Sequence, residues 1–201
     1  MTSILLIGVP VFFLVRWFIQ DTIKEHTDLT KRIRDAEGGA WAEDIIGALL
    51  TKLPDSYVVI HNLPFAGGDI DHIVVGPTGL FVIDTKSHSG RVLIADGAVT
   101  LNGHAFEKDI VGQIHDGAKW LEEMLLVEGG IEVKPIRIIA FTRAYVEYKD
   151  KPPYKGVTLL HRSYLNRSIL NHDGSCPQID AIVELLKRKV TIEQPAASPQ
   201  P

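Results

Sequence analysis

Two alternating apolar segments joined by a short turn place the strongest constraint on how this 201-residue chain can fold. The first runs from Ile70 to Val75, the second runs from Leu80 to Lys86, and Gly-Pro-Thr-Gly lies between them. The β-branched residues predict two strands, and the turn predicts that these pair as an antiparallel hairpin. With a symmetric two- or four-residue loop, Asp71 lies opposite Asp84, so two carboxylates share one face of the sheet.

Two directly opposed carboxylates repel each other unless a cation neutralises them. Mg²⁺ prefers oxygen ligands and keeps several waters, so Asp71, Asp84 and the backbone carbonyl of Thr85 form a candidate site. Lys86 follows Asp84 by two residues, which puts its ammonium on the same face, beside a metal-held water. The same register also offers a plainer interpretation, in which Lys86 forms an exposed ion pair with Asp69.

The rest of the pattern predicts an α/β (α+β) domain with a central mixed sheet. An amphipathic helix is expected near residues 38–52, with Trp41 among its apolar positions. A strongly apolar segment, Ile136 to Phe141, predicts a strand buried on both faces. The other expected elements are strands at Tyr57–Ile60, Arg91–Ile94, Ala98–Leu101 and Val157–Leu160, and helices at Ile110–Leu126, Arg162–Leu170 and Ile179–Val190.

The amino-terminal segment is of a different kind. Ile4 to Ile19 contains one charged residue, Arg16, and is close to the length that spans a bilayer. We expect an N-terminal membrane-anchor helix within residues 1–22, a polar connector over 23–36, a domain over 37–190 and a disordered tail over 191–201. The alternative is a buried helix of the domain. Basic residues follow the segment and none precedes it, which predicts a single-pass protein of the cell membrane with its domain in the cytoplasm.

Composition excludes several classes of function. The single cysteine rules out an internal disulfide, and no zinc motif, Gly-rich phosphate loop or nucleophile elbow is present. The formal net charge of −4 gives no general attraction for nucleic acid, so a polyanion would need a local basic patch. Candidates for such a patch are Arg137, Arg143, Lys149 and Lys151, although a few basic residues around a loop are usually only solvated.

Four short motifs, in order, resemble the nuclease-related domain (NERD) family. They are Gly39 to Glu43, Ile70 to Gly76, Phe81 to Lys86 with Gly90, and the segment around Gln113. The resemblance covers about residues 37 to 125. The family is assigned to the PD-(D/E)XK nuclease superfamily, which implies a restriction-endonuclease-like αβββαβ core, and the predicted elements follow that order.

The resemblance implies a role for each matching residue. Asp71 and Asp84 would be metal ligands, Lys86 the catalytic lysine, Glu43 a further carboxylate that helps to hold the metal, and Gln113 a supporting residue. Asp84 stands where the family more often has Glu, which shortens the reach to a metal by one methylene. Glu43 could equally be a solvated residue in the first turns of its helix, where the helix dipole favours a negative charge.

Other polar and aromatic residues have simpler interpretations. His72 alternates to the face opposite Asp71, which favours a packed or hydrogen-bonded histidine over a ligand. His88 and Ser89 follow Lys86 in a polar segment that either contacts phosphate or faces water. Trp120 lies in an apolar helical pattern and is better explained as core than as a base-stacking surface.

These observations predict a membrane-anchored nuclease-like domain that hydrolyses phosphodiester bonds, with DNA as the expected partner and Mg²⁺ or Mn²⁺ as the cofactor. The alternative is a catalytically silent module that binds nucleic acid or serves as a scaffold and retains the nuclease fold.

Overall fold

A computed structural model describes residues 37–193, and those from Trp41 onward belong to one compact unit. The predicted anchor and connector and most of the predicted tail lie outside the described residues. Within the described part, no helix is long and apolar enough to cross a membrane. The first described element is helix α1, residues 37–50.

The protein is a mixed α+β fold built on a seven-stranded sheet. Its strands are β1 (Val58–Phe65), β2 (Gly68–Gly76), β3 (Gly79–Ala95), β4 (Ala98–Leu101), β5 (His104–Ala105), β6 (Ile136–Tyr148) and β7 (Val157–His161). The other elements are α2 (Ile110–Gly129), a 3-10 turn (Arg162–Tyr164), α3 (Leu165–Leu170) and α4 (Ile179–Glu193). The order of elements contains the predicted αβββαβ series, with the short strands β4 and β5 inserted before α2.

The sheet is antiparallel at one end and parallel at the other. Strands β1 to β5 pair consecutively in antiparallel fashion, whereas β6 lies parallel to both β3 and β7. A parallel neighbour requires a long crossover connection, and α2 supplies it between β3 and β6. This confirms the predicted mixed sheet and places β3 at its centre.

Each face of the sheet is covered by helices. On one face, alternate side chains of β2 and β3 such as Ile73, Val75 and Val82 pack against α2 and α4. On the other face, Val74, Phe81 and Ile83 pack against α1 and α3. Fully burying one such side chain stabilises the fold by about 1.5–3 kcal/mol, so the two apolar faces fix the register of the central strands.

Strand β3 is longer than the sequence predicts, because it joins two expected strands across the polar residues 87–90. The pairing of β3 with β6 shifts register between Lys86 and Ser89, which marks a β-bulge. Gly90 has a φ of +106°, and a Cβ there would lie 2.2 Å from the Oδ1 atom of Asn102. Asn102 stabilises the bulge by accepting a hydrogen bond from the Arg91 amide at 2.8 Å. The expected loop is therefore a bulged strand.

One prediction about α1 is wrong. Trp41 was expected on the buried face, but 42% of its surface is exposed, whereas Ala42, Ile46 and Leu50 are buried. The buried positions recur at intervals of four residues and form a narrow stripe that leaves Trp41 outside. The helix α2 begins as expected at Ile110, where the Asp109 carboxylate accepts a hydrogen bond from the Gly112 amide at 2.9 Å.

Candidate functional site

The hairpin of β2 and β3 places the two predicted aspartates on one face. Gly76 pairs with Gly79 across a two-residue turn, and the pairing continues to His72 opposite Ile83. The next positions are Asp71 and Asp84, and both follow the alternation that points Ile73 and Val82 toward α2. The predicted register is confirmed.

The ladder between β2 and β3 ends at this point. The amide of Thr85 donates a hydrogen bond of 2.6 Å to Oδ2 of Asp71, a side-chain acceptor in place of a backbone one. Beyond it, β2 pairs only with β1, while β3 continues alongside β6. The two strands separate just where the carboxylates lie, which makes room for a ligand between them.

Lys86 binds Asp84. Its Nζ donates to Oδ1 of Asp84 at 3.0 Å and lies 2.8 Å from Oδ2, with both side chains mostly buried. The alternative ion pair between Lys86 and Asp69 is therefore wrong: Asp69 is exposed and stands opposite Pro64 in the β1–β2 ladder. The ammonium is drawn to the less solvated carboxylate, because the attraction between charges is stronger where water is excluded.

Burial and mutual repulsion govern the charge of the aspartates. Burial, followed by the nearby Asp84 carboxylate, raises the pKa of Asp71 to about 7, although the Thr85 amide opposes this. Burial also raises the pKa of Asp84, with Lys86 acting in the opposite direction. Without a further cation, the pair resists carrying two full negative charges at neutral pH.

Glu43 on α1 lies near this site without lining its cavity. Burial raises its pKa, and the negative charges of Asp44, Asp69 and Asp84 raise it further. The influence of Asp84 places Glu43 within electrostatic range of the pair. Among the described residues, however, Glu43 has no hydrogen-bond partner and does not line the cavity beside the aspartates.

A cavity of about 220 Å³ opens beside the separated strands, under the first half of α2. Gln113 borders it, so the structure brings this residue together with Asp71 and Asp84. The helix lies close to β2 because Gly117 has no side chain; a Cβ there would be 3.3 Å from Ile70. The lining residues that carry oxygen or nitrogen side chains are Asp69, Asp71, Asp84, Gln113 and Asp116.

Two of these residues, Asp69 and Asp116, are cavity residues that the sequence interpretation missed. Asp116 follows Gln113 by three positions, which is close to one helical turn, so the two share a face of α2. The three-residue spacing from Gln113 was the signal in the sequence that points to Asp116. Asp69 precedes Asp71 by two positions and shares its face of β2 in the same way.

The donor atoms suit a hard divalent cation. Oδ2 of Asp84 is buried and has no hydrogen bond of acceptable geometry in the described part of the chain, although Lys86 lies near it. Two carboxylates and a carbonyl are the kind of set with which Mg²⁺ is bound, because this ion retains several waters. Within residues 37–193, no group of three or more Asp, Glu, His or Cys side chains is arranged to hold a metal ion.

The histidines near the site have structural contacts. His72 is buried on the opposite face, and its Nδ1 lies 2.7 Å from Nδ1 of His61, which confirms a hydrogen-bonded histidine. His88 packs against the rings of Phe106 and Phe141. Trp120 is half-buried against Phe65, as expected for a core residue.

Comparison with known proteins identifies the family of the chain. An uncharacterized protein of Bacillus anthracis is 32% identical over 96 residues, which cover 45% of this chain and 42% of that protein. This chain thus spans less than half of the length of that relative, and no solved structure matches. The model of the nuclease-related domain family matches residues 38–142, which contain α1 and all the strands up to most of β6. The chain therefore belongs to the nuclease-related domain (NERD) family.

Proposed function

We propose that this protein is a Mg²⁺-dependent nuclease that hydrolyses phosphodiester bonds in DNA. The observation that carries the proposal is the placement of Asp71 and Asp84 on one face, where β2 and β3 separate, with the ammonium of Lys86 on Asp84. Membership of the nuclease-related family supports the same reaction class. The reaction adds water to phosphorus and breaks a P–O bond, giving a phosphomonoester and an alcohol.

Asp71 and Asp84 would hold Mg²⁺ or Mn²⁺, with the Thr85 carbonyl as a further ligand and Glu43 as the additional carboxylate from α1. When bound, the ion would lower the pKa of a water molecule and stabilise negative charge on the phosphate. A cation at this point also relieves the repulsion that raises the pKa of Asp71.

Lys86 and Gln113 complete the proposed site. Lys86 orients Asp84 and opposes the rise that burial causes in its pKa, and its positive charge favours a phosphate at the mouth of the cavity. Gln113, at the rim of the cavity, offers an amide that can both donate and accept a hydrogen bond, which suits it to position water or a phosphate oxygen.

The decisive assay incubates the full-length chain, purified in detergent, with single-stranded DNA, duplex DNA and RNA, each with Mg²⁺, with Mn²⁺ and with EDTA. We expect metal-dependent cleavage that falls by about 100-fold or more in Lys86→Ala and in Asp84→Asn. Lys119→Ala is the matched control, because that lysine is exposed and forms a surface ion pair with Glu123 on its own helix.

Equal cleavage by wild type and Lys86→Ala would show that the proposed chemistry is wrong. Binding of DNA without cleavage under any metal condition would instead favour the alternative, a silent nucleic-acid-binding module with the nuclease fold. Preferential cleavage of RNA would contradict the assignment of DNA as substrate.

We further propose that residues 4–19 tether the protein to the cell membrane with the nuclease domain in the cytoplasm. The support is the apolar sequence of this segment and the basic residues that follow it. Membrane fractionation of the full-length chain and of a chain lacking residues 1–20 tests the tether. A full-length protein found wholly in the soluble fraction would contradict it.

A further inference from the structure

Trp41 is a large aromatic residue held at the surface by a cation. Its side chain is 42% exposed on α1, and the guanidinium of Arg143 on β6 lies 4.1 Å from the centre of its ring. Arginine stacked in this way is attracted by the electrons of the ring and loses rotational freedom. The stack therefore presents a fixed cation and a partly exposed indole ring together.

Among the residues that the structure describes, no acidic side chain forms an ion pair with Arg143. Arg91 differs in this respect, because its Nη2 atom lies 2.7 Å from Oε2 of Glu147. A planar guanidinium with free N–H groups is suited to bind phosphate oxygens in pairs. In a protein with a net charge of −4, this charge is a local attraction for a polyanion.

The stack lies on the face of the sheet that α1 covers, opposite the face to which Asp71 and Asp84 point. Trp41 precedes Glu43 by two residues on α1, and Arg143 stands opposite Ser89, three residues beyond Lys86 on β3. Tyr145 follows Arg143 by two positions on β6, so it projects from the same face, and it is 63% exposed. The surface formed by Trp41, Arg143 and Tyr145 is called the aromatic platform below.

We propose that the aromatic platform binds a single-stranded segment of the nucleic acid that the protein cleaves. Arg143 would hold a backbone phosphate, and the rings of Trp41 and Tyr145 would stack on unpaired bases. Base faces are open to such stacking only where the strand is unpaired, which selects single strands over duplex. The proposal rests on the proposed function for the kind of substrate, but strand binding itself requires neither metal nor cleavage.

Binding is measured by fluorescence polarisation of labelled oligodeoxythymidine of about 12 nucleotides with the full-length chain in detergent and EDTA. We expect Trp41→Ala to raise the Kd roughly ten-fold, the effect of losing one base–aromatic stack, and Trp41→Phe to restore most of the affinity. Arg143→Ala should reduce the slope of log Kd against log salt by about 0.7, the contribution of one phosphate contact to a single strand. Arg143→Lys should retain that slope.

Arg188→Ala is the control for charge, because this exposed residue lies on α4, which packs on the opposite face of the sheet. Circular dichroism of each variant checks that the exposed substitutions leave the fold intact. With Mg²⁺ present, Trp41→Ala should raise KM for the oligonucleotide while kcat changes less than two-fold, since Trp41 touches the strand and not the reacting atoms.

Unchanged Kd values in Trp41→Ala and Arg143→Ala would overturn the proposal, as would a failure of the wild type to bind the oligonucleotide. Equal losses for single strand and blunt duplex would overturn base stacking as the basis of recognition. The experiments distinguish failure of the platform from failure of the proposed nuclease function. If the variants lose strand binding and the wild type does not cleave, the result supports the platform and contradicts the nuclease.

Discussion

Replacing Asp71 by asparagine should stabilise the metal-free protein. The folded pKa of about 7 lies roughly 3 pH units above the ordinary value of 3.8. Each unit corresponds to about 1.4 kcal/mol, so the ionised Asp71 destabilises the folded state by at most ~4 kcal/mol. Part of this free energy is repulsion between Asp71 and Asp84. We expect Asp71→Asn to increase the free energy of unfolding by about 2–4 kcal/mol at pH 8. The asparagine oxygen can still accept the Thr85 amide.

The stability that Asp71→Asn gains must increase with pH. Because the folded pKa of Asp71 is raised, the unfolded chain releases the proton more readily, and the penalty grows between about pH 4 and pH 7. Well below pH 3.8 both the folded and the unfolded state hold the proton, so the variant and the wild type should be nearly equal in stability. The difference should then widen with pH and level off above about pH 8.

Urea unfolding in EDTA at several pH values measures this difference directly. Asp55→Asn is the matched control, since Asp55 is exposed outside the site, and it should change stability by less than about 0.5 kcal/mol throughout. A less stable Asp71→Asn protein at pH 8, or a difference that does not vary with pH, would refute the electrostatic reasoning. Adding Mg²⁺ at about 100 times its Kd should stabilise the wild type by ~2.7 kcal/mol and the variant much less.

Three further substitutions test the scaffold. Gly90→Ala should lower the free energy of unfolding by about 1–3 kcal/mol, because its φ of +106° and the contact with Asn102 disfavour a Cβ; an unchanged midpoint in urea would contradict this. Burial, and secondarily the charge of His61, lowers the pKa of His72 to about 4. Below the unfolded pKa of about 6.5, the unfolded chain therefore binds a proton that the folded state does not bind, and His72 destabilises the fold increasingly as the pH falls toward 4. His72→Gln should therefore gain stability relative to wild type between pH 7 and pH 5, and a constant difference would argue against the buried neutral ring. Asp109→Ala should cost about 1 kcal/mol by removing the N-terminal cap of α2, and an unchanged midpoint in thermal unfolding would contradict this.

The sequence predicts the hairpin of the site well because two independent signals agree there. Alternation of apolar residues fixes which side chains of β2 and β3 face the core, and the short turn fixes which positions pair. A slip of one residue would have moved Asp71 to the opposite face. The relation of Asp71 to Asp84 therefore follows from local pattern alone.

Features that depend on distant contacts are not visible in that pattern. Residues 87–90 are polar and read as a loop, yet they continue β3, because β6 pairs with them and Asn102 holds the bulge. Lys86 pairs with Asp84 and not with Asp69 because Asp84 is the more deeply buried carboxylate. The alternation of apolar residues in the sequence does not show how deeply a side chain is buried. The exposure of Trp41 depends on how α1 is rotated against the sheet, whereas helical spacing specifies only a broad apolar face.

The parallel pairing of β3 with β6 also sets the order in which the site can form. The hairpin that carries Asp71 and Asp84 is closed by a two-residue turn, whereas β6 begins at Ile136, long after Lys86 in the chain. On a ribosome that adds about 5–20 residues per second, the paired aspartates emerge several seconds before the strand that completes the sheet beside them. Contacts of such long sequence separation form late. The nascent hairpin must therefore hold its two acids together before β6 pairs with β3.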